Sequence, residues 1–154
     1  MLRVKGNLLT LAYQGEFDVI VHGCNCFCAM GGGIAREIAE RFPEAEMEDR
    51  KTTRGDYDKL GNYTRVEIDD FFVIVNAYTQ YGVSTGEDVF EYDAFKLILQ
   101  KLAREYPTAQ FGFPMIGMGL AQGNETKILG MLLEFDEKIT AQGGTVTLVE
   151  FAQA

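Results

Sequence analysis

DVIVHGCNCFCAMGGGIAREIAERF, residues 18–42, decides how the rest of the chain is read. Its first half is a β-branched run with the pattern of a buried strand, and its second half spaces Ile34, Ile38 and Phe42 as one face of a helix. Between them stand three consecutive glycines, Gly31-Gly32-Gly33, and all three cysteines of the chain, Cys24, Cys26 and Cys28. With His22, the one histidine, the cysteines fall at every second position.

Three chemistries compete for this stretch. Zinc wants about four ligands converging tetrahedrally. Alternate positions on a strand project in parallel, and the sequence has no further Cys or His to complete a site. No metal is therefore expected, and small buried thiols are the plainer reading. A thiolate nucleophile at Cys28 would profit from the helix start, with Arg36 eight residues on. That interval is Cys-x7-Arg rather than the Cys-x5-Arg of cysteine phosphatases, and Arg36 falls inside the helix, where it faces water. The third chemistry is anion binding, set against a plain tight turn. Glycines let the backbone approach a phosphate closely, and the free N–H groups of a helix start add donors and a partial positive charge. A second glycine-rich loop, GMGLAQGN at 117–124, raises this reading, because two such loops suit two linked phosphates.

Outward from that stretch, strands and helices alternate. LRVKG forms a short strand ending at Gly6, and Pro43 starts a further short helix. YTRVEI and FFVIVNAY are two strands joined at Asp69-Asp70. Residues 91–106 place Phe95, Ile98, Leu99 and Leu102 on one helical face, and AQFGFPMIG (109–117) is a strand running into a loop. Asn124 caps a helix whose buried stripe is Ile128, Leu132, Phe135 and Ile139. Gly143-Gly144 turn the chain into the last strand, TVTLVEF. The fold class is α/β, a three-layer α/β/α sandwich on a mixed, mostly parallel central sheet. Ligands of such sheets sit at the carboxyl ends of the strands, where both glycine-rich loops lie, so the two loops are expected to line one cleft.

Composition narrows the function. The 154 residues are expected to form one domain, 1–154, with 47% hydrophobic and 24% charged residues. No apolar run approaches the ~18 residues of a membrane span, and the N-terminus is a poor signal peptide, so an intracellular, cytoplasmic protein without membrane contact is expected. A net charge of −9 argues against nucleic acid as a partner, because phosphate neutralisation needs clustered Lys and Arg. Three cysteines within five residues do not make a disulfide framework.

These motifs resemble the macrodomain family, the ADP-ribose-binding module. The family's Asn-Ala-Ala-Asn followed by Gly-Gly-Gly-Val-Ala is matched by His22-Gly-Cys-Asn25 and Gly31-Gly-Gly-Ile-Ala35; its Pro-x-Ile-Gly-x-Gly loop by Pro114-Met-Ile-Gly-Met-Gly119; its Gly-Asp-Ile opening by Gly6-Asn7-Leu8. A His in place of the first Asn is similar to the branch that holds the fungal ADP-ribose 1″-phosphate phosphatases and the ADP-ribosyl-glutamate hydrolases. VKGN, HGCN, GGGIA and RFPEAE look especially like the phosphatases.

The resemblance implies a ligand, ADP-ribose or ADP-ribose 1″-phosphate, with ADP-ribosylated protein as a further partner and no cofactor. It implies that Asn25 binds the distal ribose near the scissile bond, and that the Gly31-Gly32-Gly33-Ile34 turn holds one phosphate through the amides of Gly32, Gly33 and Ile34. The amides of Gly117, Met118, Gly119 and Leu120 would hold the other phosphate and the distal ribose, with Asn7 and Leu8 at the adenine. The implied reaction is phosphate release from ADP-ribose 1″-phosphate, with His22 as general acid or water-orienting group. The residues equally allow a His fixed on a buried strand. Glu87 and Asp88 could approach the same cleft, with a solvated acidic loop as their default reading. The alternatives are a reader of ADP-ribose without turnover and a mono-ADP-ribosyl-protein hydrolase. The glutamate-linked hydrolases use a Lys after the strand corresponding to 71–78 and an Asp in the second loop. Neither is present here, and Asn7 replaces the adenine-binding Asp of many relatives.

Overall fold

In the computed structural model, which describes residues 1–152, six strands form one sheet in the order β1-β6-β5-β2-β4-β3. They are β1 (Leu2–Gly6), β2 (Val19–Cys24), β3 (Tyr63–Ile68), β4 (Phe72–Tyr78), β5 (Gln110–Phe113) and β6 (Thr145–Phe151). Every neighbouring pair is parallel except β3–β4, the hairpin that turns at Asp69-Asp70. Both turn residues take positive φ, 50° and 60°, a conformation that Asp tolerates better than most side chains.

Helices cover both faces. α4 (Tyr92–Glu105) and α5 (Glu125–Ala141) lie on one; their stripes Phe95-Ile98-Leu99-Leu102 and Ile128-Leu132-Phe135-Ile139 close over Val19, Val21, Phe111 and Leu148. On the other, α1 (Leu8–Tyr13), α2 (Gly33–Arg41) and α3 (Pro43–Arg50) bring Leu9, Ile38, Phe42 and Ala45 onto Ile20, Ile74 and Val149. Covered on both sides, the central strand β2 is buried at nearly every position, as its apolar run Val19-Ile20-Val21 requires. The three layers are those expected from the alternation of strands and helices.

Two elements lie outside the sequence reading. One is α1, six residues started by Asn7, whose Oδ1 accepts the N–H of Thr10 at 3.1 Å. The other is a single 3-10 turn at Tyr57–Lys59. Because β1, β2, β5 and β6 run parallel, their carboxyl ends share one edge of the sheet. That edge carries Asn7, the 25–32 loop, the 114–124 loop and Phe151.

Candidate functional site

One trench runs along this edge, made of three adjoining depressions. The first, about 390 Å3, is lined by Asn7, Leu8, Ile34, Glu37, Met115 and Phe151 among others. It shares Gly33, Ile34, Met115 and Phe151 with a middle depression of about 350 Å3 that also touches Gly32, Gly117, Gly119 and Leu120. Gly32, Gln80 and Leu120 lead on to the last, about 380 Å3, walled by Asn25, Gly31, Val83 and Ser84. The two glycine-rich loops therefore face one another across the middle of one cleft, as expected.

The middle depression is built to receive negative charge without a cation. Gly32 caps α2 with no side-chain hydrogen bond, so the N–H groups of the first turn stay unpaired within the helix and carry its partial positive charge. Opposite, the loop folds on itself through Met118 N–H to Met115 O (3.1 Å), Gln122 N–H to Gly119 O (3.0 Å) and Gly123 N–H to Gly117 O (2.7 Å). Among the described residues, the N–H groups of Gly117, Gly119 and Leu120 meet no backbone carbonyl. Gly117 holds φ at +74°, and a Cβ there would stand 2.5 Å from the Phe90 ring. A glycine is required at this bend for both reasons.

Met118 departs from the expectation that its amide binds the ligand. That N–H is spent on Met115 O, and the residue packs against the α4–α5 core instead of lining the trench. Asn7, Leu8, Gly31, Gly32, Gly33, Ile34, Gly117, Gly119, Leu120 and Asn25 do line it.

Asn25 organises the terminal depression. Its Oδ1 accepts the N–H of Phe27 at 2.9 Å and its Nδ2 donates to Ala29 O at 2.9 Å, so one side chain sets the course of the loop toward the glycines. The amide keeps one N–H and one lone pair for a ligand. Lys59, buried without a carboxylate partner among the described residues, holds the loop from beneath: its Nζ donates to Cys26 O at 2.9 Å and lies 4.9 Å above the Tyr78 ring.

The thiols point apart. Cys24 Sγ lies 3.6 Å from His22 Nε2, Cys26 Sγ donates to Gln80 O at 3.5 Å, and Cys28 Sγ to Asp49 O at 3.4 Å. Burial pushes the Cys24 and Cys26 thiols up, which leaves the one thiol on the trench wall, Cys24, protonated and a poor nucleophile. Arg36 is exposed and paired with Glu40 at 3.2 Å, as its helical position predicted.

His22 corrects the expectation that it serves the ligand as an acid. It sits at the β2 position paired with Asn76 on β4, is 1% exposed and lines none of the trench. Asn76 Nδ2 donates to Ala45 O (3.0 Å) and Thr64 Oγ1 (3.1 Å), so Asn76 Oδ1 is the acceptor for His22 Nε2–H at 2.6 Å. Desolvation, opposed by that hydrogen bond, lowers the His22 pKa from 6.5 to about 4 and keeps the ring neutral. Asp88 is tied to Phe90 N–H and Tyr92 OH, and Glu87 to Thr85, clear of the trench.

Four trench residues carry no local signal in the sequence: Glu37, Gln80, Ser84 and Phe151. Phe151, at the end of β6, is 60% exposed and forms the rim of the first depression. Among the described residues, Glu37 is the only charged side chain on the trench walls. Among the described residues no helix is long and apolar enough to cross a membrane.

No protein-family model matches the chain. It is 33% identical over 149 residues to an uncharacterized 17.5 kDa protein from the tk-vs intergenic region of Enterobacteria phage T4, covering 88% of this chain and 90% of that one. Over 45 residues it is 42% identical to the ADP-ribose 1″-phosphate phosphatase of Saccharomyces cerevisiae, a match spanning 29% of this chain and 24% of the yeast protein. Among solved structures, a macrodomain protein from Streptomyces coelicolor superposes with a TM-score of 0.72 at 21% identity, covering 100% of both chains. The macrodomain of Mycobacterium tuberculosis DarG gives 0.69 at 21% identity, again over 100% of both. Thermosipho africanus DarTG in complex with ADP-ribose gives 0.67 at 16% identity, over 90% of this chain and 39% of that one.

Proposed function

We propose that this chain, which has the fold of the macrodomain structures it superposes on, is a macrodomain that binds ADP-ribose in the trench and hydrolyses ADP-ribose 1″-phosphate to ADP-ribose and phosphate. The observation that carries the reading is the order of the three depressions. An apolar pocket with an aromatic rim suits a nucleobase, two facing sets of free N–H groups suit a diphosphate, and a neutral polar pocket at Asn25 suits the distal ribose and its substituent. The DarTG complex with ADP-ribose and the short, closer match to the yeast phosphatase support the same ligand class.

The terminal pocket favours the phosphomonoester as the group hydrolysed. Its walls offer the Asn25 amide, Gln80, Ser84 and backbone N–H groups, and, among the described residues, no carboxylate that would repel a phosphate dianion. Phosphoryl transfer leaves little covalent chemistry for a protein to perform, so holding the ester in place and stabilising charge on its oxygens is the contribution these residues make. Water attacks phosphorus, the P–O bond to the distal ribose breaks, and the ribose hydroxyl and inorganic phosphate leave. His22 acts in this scheme as a positioning residue, fixing β2 against β4 below Gly23 and Cys24.

The same wall, bare of acid and base, also favours a second reading, a reader that holds ADP-ribose or ADP-ribosylated protein without turnover. Removal of ADP-ribose through a lysine adduct has no lysine among the described residues of these walls to carry it. Phosphate release from ADP-ribose 1″-phosphate, measured for wild type and Asn25→Ala, separates the two. Release that depends on Asn25 supports the phosphatase, and release no faster than background leaves the reader.

A further inference from the structure

Among the described residues, two polar side chains line the first depression, Asn7 and Glu37. The other walls are aliphatic, aromatic or glycine. In such a pocket the few polar groups fix which edge of a ligand enters.

The role of Asn7 is limited by the helix it starts. A cap must accept the N–H of Thr10, and of the two ends of an amide only the oxygen accepts; Oδ1 does so at 3.1 Å. The group left to face the pocket is the Nδ2 donor. An Asp at this position would cap with one oxygen and turn the other, an acceptor, toward the ligand. Asn7 therefore presents a donor, and no side-chain acceptor, to this wall. Glu37 supplies the missing acceptor. It stands one helical turn beyond Gly33 on α2, lines the pocket, and among the described residues its carboxylate makes neither a hydrogen bond nor an ion pair. The salt bridge of its own helix joins Arg36 to Glu40 and leaves Glu37 out.

We infer that Glu37 is the residue that selects the base: its carboxylate accepts the exocyclic amino group of adenine, while Asn7 Nδ2 donates to a ring nitrogen of the same edge. The inference rests on the ADP-ribose reading above and deepens it. Adenine offers a donor beside an acceptor, which matches an acceptor and a donor on the wall. A 6-oxopurine bound in the same orientation puts its carbonyl against the carboxylate, and two acceptors in a part-buried pocket repel. A site that hydrogen-bonds a substrate N–H rejects an analogue without it.

The test is titration calorimetry of wild type, Glu37→Gln and Glu37→Ala with ADP-ribose and with its hypoxanthine counterpart, inosine diphosphate ribose. Wild type should prefer the adenine ligand by about tenfold or more. Glu37→Gln, whose amide oxygen still accepts, should keep most of that preference. Glu37→Ala should bind the adenine ligand about tenfold more weakly and lose the preference. Glu37 lies part-exposed on a helix, so thermal melts of the variants should match wild type. Equal or tighter binding of the hypoxanthine ligand by wild type overturns the inference, as does a full adenine preference in Glu37→Ala. Failure of wild type to bind either ligand overturns the ADP-ribose reading itself, and the inference with it, and is told apart by being common to both bases.

Discussion

His22 Nε2 stands 2.6 Å from Asn76 Oδ1, across paired positions of two neighbouring parallel strands, with both side chains sealed from solvent. Asn76 in turn donates to Ala45 on α3 and to Thr64 on β3. The single imidazole thus ties three strands and a helix together beneath the trench, and its proton inventory belongs to the fold.

Stability should report this in acid. The His22 pKa falls from 6.5 to about 4 on folding, so above pH 6.5 the ring is neutral in both states and costs nothing. As pH falls from 6.5 toward 4 the unfolded chain gains a proton that the folded chain refuses, and stability drops by about 3 kcal/mol. His22→Gln, which keeps a donor for Asn76 and cannot titrate, should lack this component. Denaturant melts of both proteins at pH 7.5 and 4.5 measure the difference, and equal losses would place the acid sensitivity elsewhere.

Binding and stability should separate at the two loops. Gly117→Val forces a side chain into the Phe90 ring, 2.5 Å from the position of its Cβ, at a φ of +74°, and should destabilise by about 2–4 kcal/mol. Gly32→Glu meets only the mobile end of Leu120 at 3.0 Å and should melt close to wild type. Its carboxylate would lie where the diphosphate runs, so ADP-ribose binding should vanish. Calorimetry beside a melting curve on each variant tests the pair.

The cysteines should matter less than the asparagine among them. Replacing Cys24, Cys26 and Cys28 with Ala or Ser removes three weak thiol contacts and should cost stability while sparing most affinity. Asn25→Ala releases both Phe27 N–H and Ala29 O, each bond worth about 1 kcal/mol, and should weaken ADP-ribose binding by tenfold or more in order of magnitude. An Asn25→Ala variant that binds better than the cysteine-free protein would reverse this ranking.

Phe151 is exposed to 60% at the rim of the first depression, where we place the base. Stacking of a base on an aromatic ring is worth about 1–3 kcal/mol, so Phe151→Ala should bind ADP-ribose roughly tenfold more weakly or worse. Its melting temperature should be unchanged. Unaltered affinity would remove Phe151 from the site.

The elements that repeat a periodic pattern were legible in the chain. The β-branched run Val19-Ile20-Val21 of β2, the helical stripes of α4 and α5 and the Asp69-Asp70 turn each state their structure locally. α1 did not, because Leu8-Leu-Thr-Leu-Ala-Tyr13 is apolar nearly all round and reads as freely as strand; the Asn7 cap decides it. The glycine loops and Asn25, which line the trench, stood out in the sequence as a candidate site because a backbone-built anion cradle needs glycine in recognisable runs. Glu37, Gln80, Ser84 and Phe151 did not, since they reach the trench from α2, from the segment between β4 and α4 and from the end of β6, and only the fold brings them together. Of the two readings the sequence left open for His22, the geometry fits the buried-strand one; the choice was not legible because which neighbour the ring meets depends on the register of β2 against β4.

Titration calorimetry of the wild-type protein with ADP-ribose tests the central claim most directly. The trench should take up one ligand per chain with a measurable heat of binding, and Gly32→Glu, folded and melting near wild type, should take up none. Absence of binding by wild type at about 1 mM ligand, or equal affinity in Gly32→Glu, would contradict an ADP-ribose site between the two glycine loops.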